Sequence, residues 1–225
     1  RIVVARNRAA LLALHGQSIA SKIAGEWGGG KLSNVGENIT VLDQEGNLVL
    51  AFNYDINNGW PGRAAGKGST LEIIDPSADP ENPDNWRSSS EYDGSPGSAG
   101  YGTSATIFIN EILAHTDVPV LDTIELYNST DTTIDISHWF VTDSNENWKK
   151  FQIPANTHLA SGAYIKFDEK DFNPNGLWNP DAGPRGPDEF ALSGARGGDV
   201  WLIEADGASN LLAFADHVEF GASLN

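Results

Sequence analysis

Apolar residues in this chain fall into short runs separated by turn residues, and within the runs the alternation is closer to period two than to the helical 3.6. Ile2, Val3 and Val4 open as a strand. Asn7 then stands where an N-cap belongs, ahead of a short helix over Arg8 to Leu14 with Ala10 and Leu14 on one face and Leu11 beside them, ended by His15-Gly16. From Leu32 the texture becomes that of strands: Ile39 to Leu42, the turn Asp43-Gln44-Glu45-Gly46-Asn47, then Leu48 to Phe52 predict a hairpin. Pro61 to Gly100 is rich in Gly, Pro, Ser and Asp and reads as loop around one edge strand at Leu71 to Ile74, with Gly94 to Thr106 as a linker. Beyond it, Ile107 to Leu113, Thr123 to Tyr127, Thr133 to Ile136, Trp139 to Val141, Phe151 to Ile153 and Ala163 to Phe167 all have the length and content of strands. Closely spaced strands with no amphipathic helix between them predict an antiparallel sandwich in which Ile107 and Ile109 face one side. A helix within Thr123 to Phe167, or parallel βαβ units, would contradict that reading.

A repeat underlies the pattern. Leu32-Ser33 recurs as Leu192-Ser193, and each copy precedes a hairpin: Ile39 to Gly46 with Val49 to Phe52, and Val200 to Gly207 with Leu211 to Phe214. Overlaying them leaves the strands of residues 107–153 without counterparts in the first copy, so roughly 50 residues are expected to be missing before Arg1. The region around Leu71 to Asp75 likewise has no counterpart after Asn225. With no Met anywhere, the chain is expected to be an internal piece of a longer polypeptide, its first domain completed by residues or chains outside it.

Composition narrows the function. The chain has 225 residues, 14 Lys and Arg against 31 Asp and Glu, and no basic cluster to track a phosphate backbone, which argues against nucleic acid as a partner. No apolar run is long enough to insert into a membrane. Cysteine is absent, so disulfides, zinc–thiolate sites and thiol catalysis are excluded together.

Ile107-Phe108-Ile109-Asn110-Glu111-Ile112-Leu113, Thr123-Ile124-Glu125-Leu126-Tyr127-Asn128 and Ile134-Asp135-Ile136-Ser137-His138-Trp139 resemble a lamin tail domain. Later elements follow in order: Phe151 to Thr157, Leu159 to Tyr164, Leu192-Ser193 and the Gly198-Asp199-Val200 hairpin. Residues 1–99 resemble the second half of another copy through Leu32-Ser33-Asn34, Gly36-Glu37, Trp60-Pro61, Leu71 to Pro76 and Asn85-Trp86-Arg87, with Gly94 to Ala99 similar to the family's exit. The resemblance implies an all-β, immunoglobulin-like antiparallel β-sandwich in two tandem copies. For bacterial members it implies large secreted or cell-surface proteins, often beside spore-coat-protein-H-type kinase domains. It implies no catalytic residue. The implied organisation is residues 1–100 as the C-terminal part of a first domain, 101–106 as linker, and 107–225 as a second domain lacking its last strand region.

Candidate chemistry is sparse. Gly62 to Thr70 looks like a phosphate loop but has three residues between Gly62 and Gly66 where four are needed, Gly68 in place of the magnesium-binding hydroxyl, and a strand after it. No Gly-x-Ser-x-Gly occurs, and His15, His115, His138, His158 and His217 lack metal-ligand spacing and read as surface or turn histidines. Glu111 and Glu125 on successive strands could act as a glycosidase pair, although Glu111, between Asn110 and Ile112, reads better as a structural carboxylate accepting backbone N–H bonds. Calcium is the candidate small ligand: Asp143 and Asn145 begin a loop that mimics calcium-binding spacing, Asp168, Glu169 and Asp171 form a second acidic cluster, and Asp75, Asp79 and Asp84 a third. Among Trp139, Trp148, Trp178 and Trp201, Trp178 in its Pro/Gly-rich loop is the candidate sugar-stacking residue.

The leading expectation is therefore a non-catalytic structural or adhesive module of a larger extracellular or cell-surface protein. Its expected partners are the other domains of that protein and a surface protein or glycan. The alternative is a carbohydrate-binding module attached to an exported enzyme, and a hydrolase using Glu111 and Glu125 is the third reading.

Overall fold

The computed structural model describes residues 1–102, 106–114 and 119–222, and the chain divides into two compact units, 1–102 and 103–225. The fold is all-β with few helices. The first unit holds strands β1 (Val3–Ala5), β2 (Ile23–Glu26), β3 (Gly36–Leu42), β4 (Leu48–Asp55), β5 (Leu71–Ile73) and β6 (Trp86–Ser88), with helix α1 (Arg8–His15) after β1. Asn7 caps α1 as its side chain predicts, accepting the Ala10 N–H at 2.9 Å. The chain leaves α1 at Gly16, whose φ of 77° suits a residue without a side chain.

β1 and β2 pair in parallel through α1 and a 3₁₀ turn, an arrangement the strand pattern did not anticipate; it lies outside residues 107–220. Ala5, Ile19 and Ile23 are buried there with Val3, Leu11 and Leu12 against them, so a small apolar nucleus holds the crossover. β3 and β4 form the expected hairpin, and β5 pairs with β6. Residues between Ser95 and Tyr101 are hydrogen-bonded to the rest of the first unit. Lys22 Nζ donates to the Gly97 carbonyl at 2.9 Å, the Tyr101 N–H to Glu91 at 2.7 Å, and the Ser95 hydroxyl to Glu72, which also holds Arg87 at 3.2 Å.

The second unit contains β7 (Ile107–Leu113), β8 (Thr123–Asn128), β9 (Ile134–Asp135), β10 (Phe140–Thr142), β11 (Phe151–Gln152), β12 (His158–Leu159), β13 (Tyr164–Asp168), the short helix α2 (Glu169–Phe172), β14 (Gly198–Ala205) and β15 (Leu211–Phe220). Its main sheets are β13-β8-β7 and β11-β10-β14-β15, with β9 and β12 as a separate pair, and every pairing is antiparallel. No helix lies within 123–167. Period-two alternation does the folding: Ile124 and Leu126 of β8, Ile107 and Ile109 of β7, Val141 of β10, and Val200 and Leu202 of β14 fill the layer between the sheets. A bulge at Asn110 breaks the β7 ladder, and the Asp216 carboxylate of β15 accepts the Ile109 N–H at 2.7 Å, tying the two sheets together.

The two long hairpins have the same turn. In the first, Asp43 Oδ1 accepts the N–H groups of Glu45 and Asn47, and Asp43 Oδ2 accepts Asn47 Nδ2. In the second, Asp206 Oδ1 accepts those of Ala208 and Asn210, and Oδ2 accepts Asn210 Nδ2. Register agrees too: Val41↔Leu50 and Leu42↔Leu48 correspond to Glu204↔Ala213 and Ala205↔Leu211, with the same bulge between them. This sets Asp43 over Asp206, whereas overlaying the sequences had set Gly46 over Gly207. Each hairpin is also entered at or beside a crowded glycine, although the two are not equivalent in this alignment, which sets Gly36 over Asp199. A Cβ on Gly36 or on Gly197 would lie 2.3 Å from the carbonyl oxygen of Tyr54 or Phe220, at φ of 151° and 76°.

Candidate functional site

Several residues that the sequence marks as chemical take part in local hydrogen bonds and ion pairs. Asp168 and Asp171 form the capping box of α2: Asp168 accepts the Lys170 N–H at 2.8 Å and Asp171 the Asp168 N–H at 3.0 Å. Asp143 is paired with Lys150 Nζ at 2.6 Å. Asp75 accepts from both the N–H and the hydroxyl of Ser77, which lowers its pKa, and Asp79 accepts the Glu81 N–H. Among the described residues, no group of three or more His, Cys, Asp or Glu side chains is placed to hold a metal ion.

Glu111 is exposed and lies directly across from Glu125. Like charges in that position repel, and Asn110 Nδ2 at 2.8 Å and Lys166 Nζ at 3.5 Å offset the charge of Glu125. The segment resembling a phosphate loop is a 3₁₀ turn at Gly62–Ala64 leading to β5. Arg63 turns inward there, to the Ser69 hydroxyl at 2.6 Å and the Ser89 carbonyl at 2.8 Å, and burial lowers its pKa to about 10.

His15 sits in the last turn of α1, His138 has a positive φ, and His158 is 3.8 Å from Asp135. His115 lies outside the described residues. His217 is neither a turn nor a free surface residue: it belongs to β15, stacks on Trp201 at 3.5 Å between ring centroids, and has Nε2 2.6 Å from Asp199. Trp139, Trp148 and Trp201 are buried, Trp148 lying edge-on to Trp201 and Phe214, so these rings are packing. Trp178 is half-buried, its indole N–H donated to the Asn173 carbonyl at 3.0 Å and Lys170 Nζ 6.0 Å above its ring.

The feature that sequence reasoning missed is an aromatic groove in the first unit. Phe52 of β4 stacks on Trp86 at 4.8 Å and on Trp60 at 6.1 Å, and Tyr54 meets Trp60 edge-on at 6.4 Å. The Tyr54 hydroxyl donates to the Ser33 carbonyl at 2.6 Å, and burial together with nearby Glu37 raises its pKa to about 12. These rings and Ile39 bound a groove of 730 Å³ that reaches Val4. Phe52, Trp60 and Trp86 are far apart in sequence and share no period, so nothing local joins them. The resemblance quoted Trp60 and Trp86 without relating them.

Two antiparallel sheets around one apolar layer, with the conspicuous carboxylates committed to caps, turns and ion pairs, define an immunoglobulin-like β-sandwich module. The family model of the lamin tail domain matches residues 102–214, half of the chain, and the chain belongs to that family. The lamin tail domain is a non-catalytic, immunoglobulin-like domain. Comparison with curated proteins and with solved structures found no match.

Proposed function

We propose that this chain is a non-catalytic structural or adhesive part of a larger secreted or cell-surface protein, of the bacterial kind in which such domains accompany exported modules such as spore-coat-protein-H-type kinase domains. Its partners are then the other domains of the same protein. In this reading residues 1–100 are the C-terminal part of one lamin-tail-like domain and 107–225 belong to a second. The observation that carries the tandem reading is the shared hairpin turn: the same carboxylate bonds at Asp43 and Asp206, with the same register and bulge in the residues next to them. The test is fractionation of the source cells with an antibody to this chain. The expected signal is in the surface or culture fraction, on a polypeptide larger than the chain's 24.1 kDa. A cytoplasmic band at that mass would refute the proposal.

A glycan-binding role draws support from a different place than Trp178. Phe108, Tyr127 and Tyr164 form one cross-strand row on the outward face of β13-β8-β7, with Tyr164 53% exposed and stacked on Tyr127 at 4.6 Å. Glycan-array binding by the full chain that is lost in Tyr164→Ala would favour this role; an array without signal would remove it.

A further inference from the structure

We propose that β3 is a docking edge: its free side and the aromatic groove beside it take an extended antiparallel segment of lamin-tail type, of the kind that Phe140-Val141-Thr142 supplies to β14. The inference rests on reading the two hairpins as repeats and goes beyond it by naming the edge, the register and the occupant.

The second unit shows what covers this hairpin. There β14 is paired on one side with β15 and on the other with β10, in the register Phe140↔Ile203, Val141↔Leu202 and Thr142↔Trp201. Val141 and Leu202 are 1% and 0% exposed and lie in the layer facing β7 and β8. With Asp43 placed on Asp206, Ile39 takes the position of Leu202, Thr40 that of Ile203 and Asn38 that of Trp201. Among the described residues β3 has β4 as its sole ladder partner. Its Ile39 face opens on the 730 Å³ groove, and Val41 and Leu42 beside it are 43% and 55% exposed. The side of the hairpin that is sealed in one unit is thus open in the other.

An unpaired strand edge supplies backbone N–H and C=O groups, and a flanking apolar groove supplies side-chain pockets; together these are the requirements for strand addition. Alternation of the incoming strand follows from the template. Its central apolar residue sits opposite Ile39 and enters the groove, as Val141 enters the core opposite Leu202.

The experiment fuses residues 134–147 of this chain, through a flexible Gly/Ser linker, ahead of Arg1 of the full chain. Val4 lines the groove, so the linker starts near it and keeps the segment at high effective concentration. Amide exchange measured by NMR is expected to slow at least about tenfold at those of Asn38, Ile39 and Thr40 whose N–H points away from β4. The indole signals of Trp60 and Trp86 should shift, while the backbone amide signals of Trp201 to Ile203, whose edge is already paired, stay fixed. The same fusion carrying Val141→Asp should restore fast exchange. Protection that is absent, that survives Val141→Asp, or that appears without the fused segment as the concentration of the chain rises would overturn the proposal. Titrating the Asp43 and Asp206 carboxylates in the same samples separates the two readings. If both titrate below the usual aspartate range, as the bonds from Asn47 and Asn210 dictate, and no protection appears, docking fails while the turn likeness stands; if Asp43 titrates as an ordinary aspartate, the turn is not formed and the repeat reading loses its support.

Discussion

Replacing Asn128 by alanine should destabilise the second unit by about 3–5 kcal/mol. Asn128 ends β8 on the inward phase of the alternation and is 0% exposed, a position that in the rest of the strand belongs to Ile124 and Leu126. It is tolerated there because its amide is saturated. Nδ2 faces the carbonyls of Thr132 and Leu159 at 2.8 Å each and of Ala160 at 3.1 Å, while Oδ1 accepts the N–H and the hydroxyl of Thr130 at 2.9 and 2.7 Å. One side chain therefore fastens the β8 end, the turn after it and β12. Alanine leaves backbone groups without partners and opens a small cavity, at about 1 kcal/mol for each bond lost. The total is a large part of the roughly 5–15 kcal/mol that holds a domain folded. In urea unfolding followed by tryptophan fluorescence the midpoint should fall by about 2 M. Asn128→Asp keeps the shape but turns a carboxylate oxygen toward three carbonyls, so at pH 7 it should cost at least as much as alanine and recover part of the loss in acid. A loss below about 1 kcal/mol for alanine, or a neutral Asn128→Asp at pH 7, would refute the reasoning.

Gly36→Ala and Gly197→Ala should each be destabilising, because the new Cβ meets backbone at 2.3 Å at a positive φ; paired thermal melts in which both variants unfold at the wild-type temperature would contradict this. Burial raises the pKa of Glu204 above the usual 4.5, so the folded state holds the proton more tightly and this residue's contribution to stability declines as pH rises from 4.5 through the folded-state pKa. Glu204→Gln should therefore raise the melting temperature at pH 7 and leave it unchanged at pH 3. Arg87→Ala removes the 3.2 Å pair with Glu72 and the bond to the Ala99 carbonyl, so limited proteolysis should cut residues 94–102 faster than in the parent chain.

Most of the second unit was legible because its strands are amphipathic one by one. The alternation in Thr123-Ile124-Glu125-Leu126-Tyr127-Asn128 gives both the strand and its inward face. Shorter elements escaped notice: β12 has two residues and owes its place to Asp135 and Ile134 across from it, and α2 is one turn created by the Asp168–Asp171 box. β6 was hidden within a Pro/Asn-rich stretch because its pairing with β5 is a tertiary fact. The parallel β1–β2 pair escaped for the same reason. The likeness of the two hairpins is visible in the sequence, but with a shifted alignment, since Gly46 and Gly207 look equivalent in sequence while the hydrogen bonds are made by Asp43 and Asp206. Asx turns and calcium loops use the same acidic residues, so the sequence of the acidic loops alone does not tell one from the other.

The proposed tandem arrangement gives the chain two lamin-tail-like hairpins, the second inside a closed sandwich. Native-state hydrogen exchange on the full chain tests it most directly. The account predicts slow exchange throughout β8 and β14, including Ile124, Leu126, Val200 and Leu202, and in the first unit protection on the amides that β3 and β4 exchange with each other, with fast exchange along the free side of β3. Slow exchange on both sides of β3, or fast exchange in β8 and β14, would contradict it.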